Sequence, residues 1–101
     1  MKQTTEYTVE LDLNVRYRVR HEIERGKVLR YVVQLEVEEA GSWHPVRRSD
    51  SAHGQAHWHV FHRHKKADRT ALGMDFNDAL TQAEEAVKNH WEEFVKQWPT
   101  E

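Results

Sequence analysis

The sequence predicts an α+β domain, with an antiparallel sheet of about four strands in meander order and one long C-terminal helix packed on one face. Two patterns indicate this fold: apolar and polar residues alternate through much of residues 7–38, and apolar residues recur at helical spacing through residues 75–98. We expect a single domain over residues 1–101, with the sheet in residues 5–62, a loop in residues 63–74 and the helix in residues 75–98.

The longest strand-like segment is residues 7–23, whose odd positions are apolar or aromatic apart from His21 and whose even positions are polar. This alternation is typical of a strand with one buried face. A single strand of this length would span about 56 Å at ~3.3 Å per residue, whereas most strands have roughly 3–10 residues. The segment must therefore bend, break near residues 12–14, or extend beyond its own subunit.

The absence of glycine and proline from residues 11–14 argues against a tight turn there. Residues 7–13 would then have no neighbouring strand in their own chain, and proteins generally avoid a long, unpaired apolar edge. We therefore favour pairing of this segment with a second copy of the chain, which predicts a homodimer.

A second alternating segment, residues 28–38, is expected to pair with the first as a hairpin. A three-residue loop at residues 25–27 places Val19 opposite Val33 and keeps the apolar residues of both strands on one face. A two-residue loop would place odd positions opposite even ones and mix the two faces. The three-residue loop is therefore the predicted connection.

Two shorter strands are expected next. Residues 42–48 contain Trp43 and are interrupted by Pro45, which favours an edge position or a bulge. After a turn at residues 51–54, residues 55–61 alternate again. This fourth strand carries Trp58 and Val60 on one side, and His57, His59 and Phe61 on the other.

The helix is predicted to begin after Asp75, which is a good N-cap, and Asp78 lies where its charge favours the positive end of the helix dipole. Pro99 follows the last turn. The apolar stripe that should pack on the sheet comprises Phe76, Leu80, Ala83, Val87, Trp91, Phe94 and Trp98.

The composition argues against several classes of protein. The chain has no cysteine for a disulfide or a thiolate site, no apolar segment of membrane-spanning length and no signal-peptide pattern. A soluble, cytoplasmic protein is expected. The net charge of −2 argues against a surface dominated by nucleic-acid binding, although residues 51–74 carry four basic residues and one acid.

Histidines are concentrated in residues 53–64, which hold five of the eight in the chain. His57 and His59 lie two residues apart on a predicted strand, so they share a face with Cα atoms ~6.6 Å apart. Two imidazoles at this spacing can share a metal if a further ligand is near. That ligand would have to be Asp50, His53 or His44. We expect no metal and no cofactor, because the last two histidines of the segment have the opposite parity and no H-E-x-x-H spacing is present.

The same histidines suggest a second chemistry, metal-independent cleavage of a phosphodiester. This reaction needs a general base, a general acid and a cation that faces the phosphate. His57 and His59 are the candidates for the two proton-transfer roles, and Arg48 is the candidate cation. Arg63 and Lys65 are alternative cations nearby in the sequence.

Polar residues could also form a binding site without catalysis. In the expected register, Arg18 and Arg20 lie on the outer face opposite Gln34 and Val32, so neither has a directly opposite acid, and they could bind a small anion or a phosphate. The candidate binding residues are Asp50, His53, Arg18, Arg20, Arg63 and Lys65.

The region from Trp43 to His57 carries a motif, Trp-x-Pro-Val-x-Arg-x-Asp-x-Ala-His-Gly-x-Ala-His. This motif resembles that of a family of small prokaryotic proteins classed as a domain of unknown function, and the resemblance extends over about residues 31–98. The chain departs from the family at Ser49, where an aromatic residue is expected, and at His59, where an acid is common. The resemblance implies no named activity.

A second resemblance concerns Asp50, Gly54 and the pair His57 and His59, which precede a closing helix. This arrangement is similar to that in TumE-type toxins of toxin–antitoxin pairs, over about forty residues. It implies a ribonuclease-like activity by analogy.

Two function classes follow. The favoured class is a non-enzymatic binding or interaction module, because no spacing specifies a catalytic constellation. The alternative is a toxin-like, metal-independent ribonuclease of a toxin–antitoxin pair that uses the histidine cluster. The predicted partners are nucleic acid or an antitoxin-like protein, and no membrane association is expected.

Overall fold

A computed structural model describes residues 1–100 and shows an antiparallel sheet of six strands with a helix on one face. The strands follow one another across the sheet in chain order, so the sheet is a meander. They are β1 (Gln3–Asp12), β2 (Val15–Glu24), β3 (Lys27–Glu39), β4 (Ser42–Asp50), β5 (His57–Val60) and β6 (Asp68–Ala71), and the helix is α1 (Phe76–Gln97). Two 3₁₀ turns are Ala52–Gly54 and Trp98–Thr100. The predicted α+β class and strand order are confirmed.

Helix α1 packs mainly against β3 and β4 at the centre of the sheet. We call the opposite face of the sheet the open face. Alternation along each strand directs one set of side chains under the helix and the other set to the open face. The buried apolar core comprises Val15, Tyr17, Val19, Val28, Tyr31, Val33, Leu35, Val37, Val46, Ala56, Ala79, Ala83, Val87 and Trp98.

The prediction of about four strands was wrong, in part because residues 7–23 form two strands. β1 ends at Asp12, Leu13 and Asn14 form the turn, and β2 folds back beside β1. Neither turn residue has a positive φ, and the register shifts at Leu11. A turn of this kind accepts most residue types, so the absence of glycine and proline was not evidence against it.

The unpaired apolar edge from which we predicted a homodimer is covered within the chain, and the homodimer itself stays a prediction. Tyr7 pairs with Val19 and Val9 pairs with Tyr17, both within one chain. The side chains of Tyr7, Val9 and Leu11 are half-buried against the core. These residues do not need a second copy of the chain to cover them.

The hairpin of β2 and β3 has the predicted register over residues 15–22, but its loop is shorter than predicted. The turn consists of Arg25 and Gly26 alone, with φ of 52° and 76°. Two left-handed residues are typical of a two-residue hairpin turn, because the twist of that turn matches the twist of the strands. A bulge at Leu29 then shifts the register by one residue, so the apolar side chains of both strands still share a face.

Pro45 lies beside a bulge in β4, as predicted. Leu35 pairs with Arg47 and Glu36 pairs with Pro45, which leaves Val46 as the extra residue. β5 pairs with residues 47–50 of β4, so Pro45 lies beyond that ladder and its missing N–H does not interrupt it.

The prediction of a loop over residues 63–74 was wrong for its central part, because β6 pairs with β5 and completes the sheet. All four residues of β6 are exposed. The strand has no buried face, so its sequence shows no apolar alternation that would have indicated it.

Helix α1 begins as predicted, because the Asp75 side chain accepts a hydrogen bond of 2.9 Å from the backbone N–H of Asp78. Its regular part ends at Gln97, and Trp98 is buried in the 3₁₀ turn that follows. Trp91, which belongs to the predicted stripe, is only half-buried. No helix within residues 1–100 combines the length and the apolar character that a membrane crossing requires.

Candidate functional site

The open face brings most of the predicted site residues together on neighbouring strands. Two rows of side chains cross this face from β2 to β5. The first row comprises Arg18, Gln34, Arg48 and His59, and the second comprises Arg20, Val32, Asp50 and His57. The rows are two residues apart along each strand, so their side chains form one continuous surface.

Asp50 lies at the centre of this surface and is 6% exposed. Its Oδ2 accepts a hydrogen bond of 2.9 Å from Arg48 Nε, and its Oδ1 accepts one of 3.1 Å from the backbone N–H of Ala52. Nε2 of His59 lies 3.1 Å from Oδ2 but is not oriented for a hydrogen bond. Both carboxylate oxygens are engaged within the protein, so Asp50 positions Arg48 and the start of the turn after β4.

His57 and His59 lie side by side, with ring centroids 6.2 Å apart. His57 is 6% exposed and its Nδ1 is buried without a hydrogen-bond partner. The ring of His59 stacks against Phe61 with an angle of 17° between the planes. Burial lowers the pKa of His59 below the ordinary histidine value, and the carboxylate of Asp50 opposes this shift without reversing it. The imidazole of His59 is therefore neutral at pH 7.

Arg18 and Arg20 have acidic partners, although their predicted cross-strand neighbours, Gln34 and Val32, are correct. Arg18 donates a hydrogen bond of 2.8 Å to Glu36 on the neighbouring strand. Arg20 donates one of 3.3 Å to Glu22 in its own strand. The prediction of no directly opposite acid considered β3 alone, whereas Glu6 of β1 lies opposite Arg20 and long side chains also reach diagonal and same-strand neighbours.

A groove of about 620 Å³ opens on this face between β2, β3, β4 and the turn that follows β4. Val32 lies in the lining and is 38% exposed. It is an apolar residue between two charged ones, Arg20 and Asp50, which are directly opposite it on the neighbouring strands. The polar lining includes Arg20, Arg30, Arg48 and Asp50, and the apolar lining includes Leu29 and Phe76. The groove therefore places guanidinium groups beside an apolar surface.

The turn after β4 forms one end of the groove. The backbone N–H of Ser51 donates to the Tyr31 carbonyl at 3.2 Å, and the Tyr31 N–H donates to Ser51 Oγ at 3.0 Å. These bonds attach the turn to β3. His53, in the turn, has a φ of 60°, a left-handed conformation that few residues other than glycine adopt. It is exposed and lines the groove.

Two predicted site residues lie away from the groove. Arg63 forms an ion pair with Glu39 and lies over the ring of Trp98, 4.7 Å from its centroid. Lys65 is exposed in the loop between β5 and β6. The structure therefore does not bring these cations to the histidine pair.

The metal ligands considered from the sequence are also dispersed. His44 packs against Trp98, with ring centroids 5.8 Å apart, and His53 lies on the rim of the groove. Within residues 1–100, no three histidine or acidic side chains are grouped closely enough to hold a metal ion.

Most of the lining residues of the groove, including Arg30, Leu29 and Phe76, were not predicted as site residues from the sequence. Arg30 shares the parity of Arg20, so the hairpin register was a signal that could have placed it on the open face. Leu29 reaches the groove because of the bulge, and Phe76 reaches it because helix α1 docks beside it. Local sequence patterns contain no signal for either of these two positions.

Comparisons with known proteins identify a family whose function is unknown. No curated protein and no solved structure matches this chain. A family described as "Domain of unknown function" matches residues 1–101. That match does not bear on the similarity to TumE-type toxins. Because the match covers the whole sequence, the chain belongs to the family Domain of unknown function (DUF7718).

Proposed function

We propose that this domain is a non-enzymatic binding module that holds an anionic ligand in the groove of the open face. The observation that carries the proposal is the presence of three guanidinium groups, those of Arg20, Arg30 and Arg48, in a groove lined by one carboxylate, that of Asp50. Arginine suits this role because its planar fork donates hydrogen bonds to two oxygens of a carboxylate or phosphate at once.

The partners of Arg48 prepare its guanidinium for a ligand. Nε donates to Asp50 at 2.9 Å, and Nη1 donates to Gln34 Oε1 at 3.3 Å. A side chain that is already ordered loses less conformational entropy on binding than a free one. Arg48 is one-third exposed, so it combines a fixed orientation with access from solvent.

Arg20 also lines the groove, but its charge is shared with two acids, Glu6 and Glu22. Its partner Glu22 is shared with Lys2, whose Nζ lies 3.0 Å from the second carboxylate oxygen. Arg20 Nε also lies 3.8 Å from Glu6 Oε2 on β1, so Lys2 and Arg20 together face two carboxylates. The positive charge that favours an anion in the groove therefore rests mainly on Arg30 and Arg48 beside Asp50.

The histidine geometry favours binding over the alternative of a metal-independent ribonuclease. A general acid or base must approach the proton that it transfers to about 2.6–3.2 Å. His57 is 6% exposed, and Nε2 of His59 is buried beside Asp50. A polynucleotide could reach these atoms only after neighbouring side chains move. We therefore propose an anionic ligand as the partner, instead of the nucleic acid or antitoxin-like protein predicted from the sequence. The cytoplasmic location stays a prediction.

Amide chemical shifts of the full-length protein during a titration with sulfate test the proposal. We expect saturable shifts at Arg30, Val32 and His53, and weaker binding by Arg30→Gln. Arg30 is exposed, so its replacement should leave the fold intact. Arg69→Gln is the matched control, because Arg69 is an exposed arginine of β6 outside the groove. Shifts that never saturate, or equal loss of binding in both variants, would contradict the proposal.

A further inference from the structure

We propose that the ligand of this groove is a phosphomonoester with a flat or apolar organic part, and that Arg20, Arg30 and Arg48 hold its phosphate above Val32. This inference rests on the proposed function and names the ligand class.

The three arginines surround Val32 on three adjacent strands. Arg20 lies directly opposite Val32, and Arg30 lies two residues away on the same strand and face. Arg48 lies two residues from Asp50, which is the other residue directly opposite Val32. Directly opposite positions on a sheet are about 5 Å apart and diagonal ones about 7–8 Å. Arginine side chains are long enough to bring three guanidinium groups together over this small, uncharged centre.

The hydrogen-bond donors of the groove fit a phosphomonoester better than a carboxylate. Arg20, Arg30 and Arg48 line the groove with a single carboxylate, that of Asp50, although Glu6 and Glu22 outside the lining also face Arg20. A phosphomonoester carries a charge of about −1.5 to −2 at pH 7 and presents three strong acceptor oxygens. A carboxylate carries one charge and two oxygens. The number of guanidinium groups therefore favours the phosphate, which has an acceptor oxygen for each of them.

The remaining space and apolar surface of the groove favour a ligand with an organic part. The groove, at about 620 Å³, falls within the range of about 300–1,000 Å³ that small-molecule sites have. Leu29 and Val32 are 37% and 38% exposed beside the arginines, and Phe76 lines the same groove. Apolar side chains in a concave site provide the surface that an apolar part of a ligand covers.

The rim of the groove adds a second observation. His53 is exposed there with a φ of 60°. Left-handed conformations at residues other than glycine are strained and are concentrated at binding and catalytic sites. The strained turn is attached to β3 and to Asp50 by hydrogen bonds, so the imidazole is presented from a fixed backbone.

A nucleic-acid chain fits this face less well than a single phosphate. Binding along a chain needs positive charge that follows the backbone of the nucleic acid. On β1, however, Glu6 lies opposite Arg20 and Glu10 lies opposite Arg16 on the same face. The acids of β1 offset the arginines of β2, Arg20 included, so positive charge does not follow a continuous line across this face.

Titrations of the full-length protein at pH 7 with phenyl phosphate, benzoate and inorganic phosphate test the proposal, with amide chemical shifts as the readout. We expect phenyl phosphate to bind about tenfold or more tightly than benzoate, because it makes an additional charge-assisted hydrogen bond. Inorganic phosphate should also bind more weakly than phenyl phosphate, since it has no apolar part.

Two substitutions at the centre of the groove provide a matched pair. Val32→Glu places a negative charge among the three arginines and should weaken binding of phenyl phosphate by about tenfold or more. Val32→Thr keeps the branched shape without a charge and should bind within about threefold of the original chain. Arg30→Gln serves as a second variant if Val32→Glu does not give a dispersed spectrum.

The outcomes separate this inference from the proposed function. Equal binding of benzoate and phenyl phosphate, lost in Arg30→Gln, overturns the phosphomonoester and leaves an anion-binding groove. Absence of saturable binding by sulfate, benzoate and phenyl phosphate overturns both proposals. An oligothymidylate without terminal phosphate that binds more tightly than phenyl phosphate overturns the phosphomonoester in favour of a nucleic-acid chain.

Discussion

Three carboxylates, those of Glu22, Glu36 and Asp50, are buried on the open face of the sheet. Each has at least two partners, cations or a backbone N–H, which replace the water that a buried carboxylate loses. The partners are Lys2 and Arg20 for Glu22, Arg16 and Arg18 for Glu36, and Arg48 and the backbone N–H of Ala52 for Asp50. The carboxylates thereby order the arginines of the surface on which the candidate groove lies.

The pKa of Glu36 predicts how the free energy of unfolding changes at acidic pH. Burial alone would raise the pKa of this carboxyl, but hydrogen bonds from Arg16, Gln34 and Arg18 outweigh that effect and hold the pKa below its ordinary value. The folded chain therefore binds this proton less readily than the unfolded chain does. The stabilisation is complete above the ordinary glutamate pKa of about 4.3 and is lost as the pH falls through the lower folded-state value.

We expect Glu36→Gln to lower the free energy of unfolding by about 1–3 kcal/mol at pH 7, because charge-assisted hydrogen bonds to a buried group are lost. The variant should also lose less stability than the original chain when the pH is lowered below about 4. Urea denaturation at both pH values measures this. Glu38→Gln is the control, since Glu38 is exposed on the same strand. Identical pH profiles for Glu36→Gln and the original chain would show that Glu36 does not contribute in this way.

At the scale of the elements, two hairpin turns are each followed by a β-bulge that keeps the apolar side chains of the strands on one face. The hairpin turns at Arg25-Gly26 and at Ala40-Gly41 each contain two residues with positive φ. A two-residue turn pairs odd positions with even ones in these sequences, and the bulges at Leu29 and Val46 restore the apolar face. The same bulge at Leu29 supplies an apolar side chain to the groove.

Gly26→Ala should destabilise the protein by about 1–2 kcal/mol, because an alanine is strained in the left-handed conformation. A Cβ at this position would meet no atom within 4 Å, so the whole effect would come from the backbone. Gly26→Asn should cost less, since asparagine tolerates this conformation better. Urea midpoints of the two variants measure the difference, and equal midpoints would argue against backbone strain as the cause.

Removal of β1 should destabilise the fold and should not dissociate a dimer. Tyr7 donates a hydrogen bond of 2.7 Å to Glu84 of helix α1, and Tyr17 lies within 3.4 Å of the same carboxylate. A chain that starts at Asn14 loses this link and uncovers the edge of β2, so its urea midpoint should fall. Tyr7→Phe removes the hydrogen bond alone and should have a smaller effect. An unchanged midpoint together with a halved mass in light scattering would instead support the homodimer.

At the scale of the whole molecule, charge is distributed unevenly between the two layers. The open face carries the arginines described above, whereas helix α1 exposes Glu85, Glu92 and Glu93. The chain has a net charge of −2. A polyanion is therefore repelled by one layer and attracted only locally by the other.

We expect weak binding of single-stranded RNA, with the logarithm of the affinity changing by about −0.7 to −1.4 per logarithm of salt concentration, as for one or two phosphate contacts. Fluorescence anisotropy with a labelled oligonucleotide measures this slope. The same samples, incubated in chelator, should show intact RNA on a gel. A slope near about −4, or cleavage that is lost when His57 and His59 are both replaced by alanine, would support the nucleic-acid alternatives.

The sequence by itself determined the features that depend on local periodicity. Alternation with a period of two predicted that Arg18 and Arg20 share one face of the sheet, and that His57 and His59 share one face of a later strand. Helical spacing and the Asp75 cap predicted where α1 begins. These properties can be read from the sequence because they follow from the geometry of one strand or one helix.

The tertiary structure alone decided the number of strands, the burial of the histidines and the shape of the groove. β6 has no apolar face, so it had no local signal, and the turn at Leu13-Asn14 was only one of three possibilities because it has no glycine. His57 lies between β4 and β6 in the sheet and is buried there. The groove arises where a bulge, a turn and a helix from distant parts of the chain meet. Such features depend on packing between segments, which the pattern within any one segment does not contain.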